Sequence, residues 1–303
     1  MKQVATPRAA ISAAIPREQM DSHLPRGPRA ASKPTQEPVA SFRALLQRPT
    51  GLDHRLAPGP PKPQVADDIE SFFRFFRHRV QNVRTLCPPA DSQGPMEPDF
   101  HVLVSAGLDS LALYWAKTFS PRLVNDKLGA LRMGESLLQH GNSSIFAKCS
   151  APNLLDRVTS QGMTALFPFI GKYLHNEGPL GTVRTWQHDP DLTQVAPDLL
   201  HVGVKGVNAT WVQRSRYGEL LFREYRCMWL HQFQPSERLA SNYAPDESEP
   251  RYQNLLVPDD VGTDFERRQL PMFPRAFMLT TYQTVVAQFE SECIAKKTAP
   301  VVE

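Results

Sequence analysis

Apolar positions recur at helical spacing along most of the chain. In VADDIESFFRFFRHRVQNVRTLC, Ile69, Phe72, Phe73, Phe76, Val80 and Val83 fall three or four apart, the repeat of one helix face. Asp67 and Asp68 suit the positive N-terminal end of that helix, and Pro88 and Pro89 stop it. Residues 100–118, FHVLVSAGLDSLALYWAKT, are apolar almost throughout. Their length and Leu/Ala content predict a helix, although FHVLVS alone reads equally as a strand. VNDKLGALRMGESLLQHG carries Leu128, Leu131, Leu137 and Leu138, with Gly141 as a stop. APNLLDRVTSQ and MTALFPFIGKYLHNEG predict two short helices, the second ended or kinked near Pro168. RYGELLFREYRCMWLHQFQ repeats apolar side chains at Leu220, Leu221, Tyr225, Met228 and Trp229. The last helix, RAFMLTTYQTVVAQFESECIAKK, is periodic through Phe277, Thr281, Val285, Phe289 and Cys293. Between these, HVGVKGVNATWV reads as a short strand or an irregular loop, and SERLASNYAPDESEPR as a polar insertion. The predicted fold class is all-α, a bundle of about five to seven helices with one long connection.

Composition divides the chain in two. Eleven of the 28 prolines precede residue 64, and PRGPRAASKPTQEP and LAPGPPKP have too little apolar surface to offset chain entropy. Residues 1–63 are therefore expected to form a disordered Pro/Arg-rich tail, and residues 64–303 the helical domain. Arg, Ala and Ser with few acids are also features of organellar transit peptides, but Pro7, Pro16, Pro25 and Pro28 would break the amphipathic helix such a peptide needs. Residues 1–48 hold eight Lys/Arg against Glu18, Asp21 and Glu37, so of the overall +3 the remainder carries −2. That balance does not point to a broad nucleic-acid-coating surface and leaves room for a local basic pocket. Cys87, Cys149, Cys227 and Cys293 are far apart and form no C-x-x-C pair, which points to free thiols in a reducing, cytoplasmic setting. No Cys/His cluster has zinc-ligand spacing, no apolar run approaches the ~20 residues of a membrane span, and no cofactor is expected.

Two segments carry candidate chemistry. SAGLDS, residues 105–110, resembles the SGGxDS loop of ATP pyrophosphatases, in which glycine amides cradle pyrophosphate at a helix start. Here Ala106 replaces one glycine, and the chain that follows lacks alternating strands and helices. A buried helix is the stronger reading. Asp109 then needs a partner, because an unpaired buried charge is costly, and Arg132 on the next helix is the expected one.

The second segment is FREYRCMWLHQF. Arg226 is followed by four residues and then His231, a spacing that resembles the Arg-x(4–6)-His signature of the HEPN superfamily of small all-α RNases and nucleotide-binding domains. As in that superfamily, the segment lies on a late helix with one long helix after it. Cys227 stands where the family usually places Asn, Asp or His. The resemblance implies metal-free endoribonuclease activity with 2′,3′-cyclic phosphate products, in a toxin or phage-defence effector. His231 would move a proton and Arg226 would clamp the scissile phosphate. It also implies RNA as substrate, a homodimer with both motifs at one cleft, and an antitoxin or other partner protein. Dimerisation matters because residues five apart on a straight helix point about 140° apart, at roughly 100° per residue. Glu224, Cys227, Asp109 and Arg132 are supporting candidates.

Two other readings stand beside this one. A catalytically inactive HEPN-like module would bind a nucleotide, RNA or protein, with Arg226 held in an internal ion pair and His231 buried. In a purely structural helix, Arg226 would pair with Glu224 or a distant acid, and His231 would cap the helix C-terminus. Helix capping accounts for His140 and His175, His188–Asp189 has no third ligand, and Ser105 and Ser110 have no nearby His. The FFRFF stripe, residues 72–76, is expected to be core with salt-bridging Arg74 and Arg77 and not a nucleic-acid platform.

Overall fold

The computed structural model describes residues 65–85, 98–174, 183–232, 247–258 and 265–302. The expected tail at 1–63, Cys87, the Pro88–Pro89 stop, His175 and much of the 236–251 insertion lie outside the described residues. The chain is mostly α-helical, as the periodicity predicts. Its α-helices are α1 (Val65–Thr85), α2 (Pro98–Phe119), α3 (Gly129–His140), α4 (Ser143–Phe146), α5 (Ala151–Ser160), α6 (Phe167–Gly171), α7 (Leu192–His201), α8 (Ala209–Gln213), α9 (Tyr217–Leu220), α10 (Cys227–Gln232) and α11 (Arg275–Lys296). A π-helical stretch, Leu221–Arg226, joins α9 to α10 without a break. Among the described residues, no helix is long and apolar enough to cross a membrane.

The long helices assemble around one apolar stripe each. On α1 the buried residues are Ile69, Phe73, Phe76, Val80 and Val83, the face expected from their spacing. They meet Phe277, Val285, Val286 and Phe289 of α11 and the buried positions of α2, including Phe100, Val104, Leu108 and Leu111. Aromatic edges lock the three helices together. The Phe73 and Phe289 rings stand 5.2 Å apart at 84°, and Phe72 meets Tyr114 at 5.1 Å and 87°. Such pairs add about 0.5–1.5 kcal/mol beyond simple burial.

A second cluster, Leu154, Val158, Leu166, Ile170, Val195, Leu199, Trp211 and Val212, is built by α5 to α8. Local chemistry fixes these shorter elements. The Ser150 hydroxyl accepts from the Asn153 amide at 3.1 Å to cap α5. Asp191 and Gln194 form a capping box on α7, and Asn208 caps α8 through the Trp211 amide at 2.8 Å. HVGVKGVNATWV, read as a strand or an irregular loop, is a turn running into α8.

Strands enter only as a small antiparallel sheet in the order β1 (Val183–Thr185), β2 (Arg251–Pro258), β3 (Phe265–Met272). Val183 pairs with Gln253, and Arg251 with Met272. The amino-acid pattern gave no hint of β2 and β3. Tyr252 and Asn254 are buried on one face, yet Leu256, next in that alternation, is 51% exposed.

Candidate functional site

Helix α2 runs unbroken through SAGLDS, so residues 105–110 form helix and not a phosphate loop. Gly107 serves packing: a Cβ there would lie 2.5 Å from the Tyr282 ring. Ser110 donates back to the Ala106 carbonyl at 2.7 Å, and the Ser105 hydroxyl is buried without a partner.

Asp109 projects from α2 toward two arginines. Its Oδ1 lies 3.4 Å from Arg132 Nη2 on α3, the partner expected for it. Its Oδ2 accepts from Arg226 Nη2 at 2.6 Å. Of a neighbouring or a distant acid for Arg226, the distant one is found, 117 residues away along the chain. All three side chains are mostly buried: Asp109 is 17% exposed, Arg132 8% and Arg226 21%. The Arg226 guanidinium also lies 5.0 Å from the centre of the Phe222 ring, and its Nη1 is 4.0 Å from Cys227 Sγ.

The remaining charges nearby are paired in the same manner. Arg216 Nη2 binds Glu135 Oε1 at 2.7 Å and lies 3.7 Å from Glu219, which Arg223 approaches at 4.0 Å. Burial pushes the Glu219 carboxyl upward, against the pull of Arg216 and Arg223. Four arginines (Arg132, Arg216, Arg223, Arg226) thus face three carboxylates (Asp109, Glu135, Glu219), an arrangement close to neutral. A glycine crossing brings α9 against α3. A Cβ on Gly218 would lie 2.9 Å from the Gly134 Cα, so only glycine permits the approach that positions Arg216 and Glu219.

His231 stands apart from this group. It is exposed in the last turn of α10. Buried Leu221, Tyr225 and Trp229 fix the core face of this segment, so Arg226 is turned partly inward and His231 outward. Glu224 and Cys227 are half-buried. The structure therefore joins Asp109, Arg132 and Arg226 and leaves His231 outside that network.

Two polar clusters escaped sequence reasoning. Asp189, 2% exposed, accepts from Tyr217 at 2.7 Å and Tyr252 at 2.5 Å through Oδ2, and from the Ala151 amide at 3.3 Å through Oδ1. Burial, with Asp189 beside them, drives both phenols well above their ordinary range, so the hydroxyls stay protonated and donate. The cluster ties β2, α9 and the start of α5 together. In the other, the His101 Nδ1 is hydrogen-bonded to the Tyr225 hydroxyl and its ring stacks on Trp229 at 4.6 Å and 15°. Burial, with Arg275 nearby, lowers the His101 imidazole to about 3, so it is neutral. Only the His188–Asp189 doublet marked either cluster in the sequence, as a pair without a third ligand; Asp189 is the member the cluster uses, and His188 is exposed. His140 does more than cap: its Nε2 meets Glu292 at 2.7 Å and its Nδ1 the Ser136 carbonyl at 3.2 Å. Compared with family models, curated proteins and solved structures, the chain matches none.

Proposed function

We propose that this chain is a binding protein of HEPN-like type, catalytically silent at Arg226 and His231, that takes a nucleotide, an RNA or a partner protein. One observation carries this reading: Arg226 is committed at 2.6 Å to Asp109, which also holds Arg132. An arginine that clamps a scissile phosphate must offer its fork to the substrate. Here one arm is occupied, and releasing it would leave Asp109 largely buried with only the longer Arg132 contact. Cys227, standing where the family usually has Asn, Asp or His, agrees with the same reading.

The second reading is the metal-independent endoribonuclease, a toxin or phage-defence effector working as a homodimer. The exposure of His231 favours it, since an exposed imidazole can reach a 2′-hydroxyl. Cleavage of total RNA in EDTA, with wild type beside His231→Ala and Arg226→Ala, separates the two. The silent reading expects intact RNA in all three lanes. Cleavage by wild type alone, leaving 2′,3′-cyclic phosphate ends, would establish the nuclease instead.

A further inference from the structure

We propose that the groove between α1 and α11 is a docking site for an acidic amphipathic helix of a partner protein. The groove encloses about 460 Å³. It lies on a face that Arg226 and His231 do not line, so the RNA cleavage test decides nothing about it. From α1 it is bordered by Arg74, His78, Gln81 and Arg84, and from α11 by Gln283 and Ala287, over a floor of Val80 and Val286.

Charge complementarity identifies the occupant. Arg77, also at this groove, is already satisfied: its Nη1 meets Glu290 Oε1 of α11 at 2.5 Å and its Nη2 meets Glu70 Oε1 at 2.6 Å. That contact shows how a carboxylate on a neighbouring helix is received here. Arg74, expected to form a salt bridge as Arg77 does, is exposed without an ion-pair partner among the described residues, and so is Arg84. They are ten residues apart on one helix, about 15 Å along its axis. A helix lying in the groove with carboxylates seven to eleven residues apart meets both, repeating the Arg77–Glu290 pairing at each end. Exposed Ala287, one turn from Gln283, lets such a helix approach closely, while the arginine stems supply apolar flanks.

A nucleic acid fits less well. No Phe, Tyr or Trp lines the groove for base stacking, and Glu290 sits within it. Residues 49–303 carry −2 overall, and two arginines without an ion-pair partner among the described residues fall short of the several phosphate contacts that hold an RNA.

The test is selection of a displayed library of helical 16-residue peptides, polar positions randomised among Asp, Glu, Asn, Gln and Ala, on the full chain. Selected peptides should carry carboxylates seven to eleven apart. Their affinity, read by fluorescence anisotropy, should fall at least tenfold with Arg74→Glu/Arg84→Glu, at least threefold with Arg74→Gln/Arg84→Gln, and further as salt rises. Both variants should keep the wild-type melting temperature, because neither side chain has an ion-pair partner among the described residues. Failure to enrich acidic peptides, or equal binding by wild type and both variants, would overturn the proposal. So would tight binding of a twelve-nucleotide oligouridine that the same substitutions abolish, which would make the groove a nucleic-acid site.

Discussion

His101 and Asp189 are buried polar side chains whose partners, Tyr225, Tyr217 and Tyr252, lie far away along the chain. His101 gives the clearest pH dependence. Its folded value, about 3, lies below the ordinary 6.5, so between those values the unfolded chain binds the extra proton. Stability contributed by the neutral, buried ring is thus complete above about pH 6.5 and is lost as pH falls toward 3, by at most about 5 kcal/mol. His101→Phe keeps a flat ring against Trp229 and removes the titration. Its urea-unfolding free energy should vary less between pH 6.5 and 4.5 than that of wild type, at a neutral-pH cost of about 1–3 kcal/mol for orphaning the Tyr225 hydroxyl. Parallel slopes for the two proteins would refute the assignment. At Asp189, Asp189→Ala removes the acceptor shared by two buried phenols, which still meet each other at 2.7 Å, and should cost about 2–4 kcal/mol in denaturant melts, whereas Tyr252→Phe, which leaves Tyr217 its bond to Asp189, should cost about 1 kcal/mol. Equal losses would contradict the shared-acceptor geometry.

Among the elements, the long helices were legible, whereas α4, α7, α8 and the strands were not. Ile69, Phe73, Phe76, Val80 and Val83 specify a face because their spacing coincides with the helical repeat. In β3, by contrast, Arg267, Arg268 and Gln269 interrupt any apolar alternation, and β2 ends in Pro258, so neither reads as a strand. The candidate site divides in the same way. The need for a partner at Asp109, and Arg132 as that partner, follow from helix burial and neighbouring elements. The Asp109–Arg226 pair depends on how α2 lies against the π-helical stretch, which no local pattern encodes. The glycine crossing of α3 and α9 sets that whole region. Gly218→Ala should destabilise the fold by about 1–3 kcal/mol, since backbone rather than a flexible side chain meets the new methyl. A neutral result in thermal unfolding would show that the two helices separate freely.

On the scale of the whole molecule, two apolar clusters share one structural frame. The bridges Lys148–Asp191 and Cys149–Arg216, together with the Asp189 cluster, tie the start of α5 to α7, α9 and β2. Phe289→Ala in the first cluster and Leu199→Ala in the second should each cost about 2–5 kcal/mol and lower the same single calorimetric transition. Two separable transitions, each sensitive to one variant only, would show that the clusters fold independently. The account's central claim, that Arg226 serves the fold through Asp109, is tested most directly by a double-mutant stability cycle on Asp109→Asn and Arg226→Gln. The predicted result is a loss of about 1–3 kcal/mol for each single variant and a double variant losing clearly less than their sum. An Arg226→Gln protein as stable as wild type, with losses that simply add, would contradict it and return Arg226 to the role of a residue held ready for a ligand.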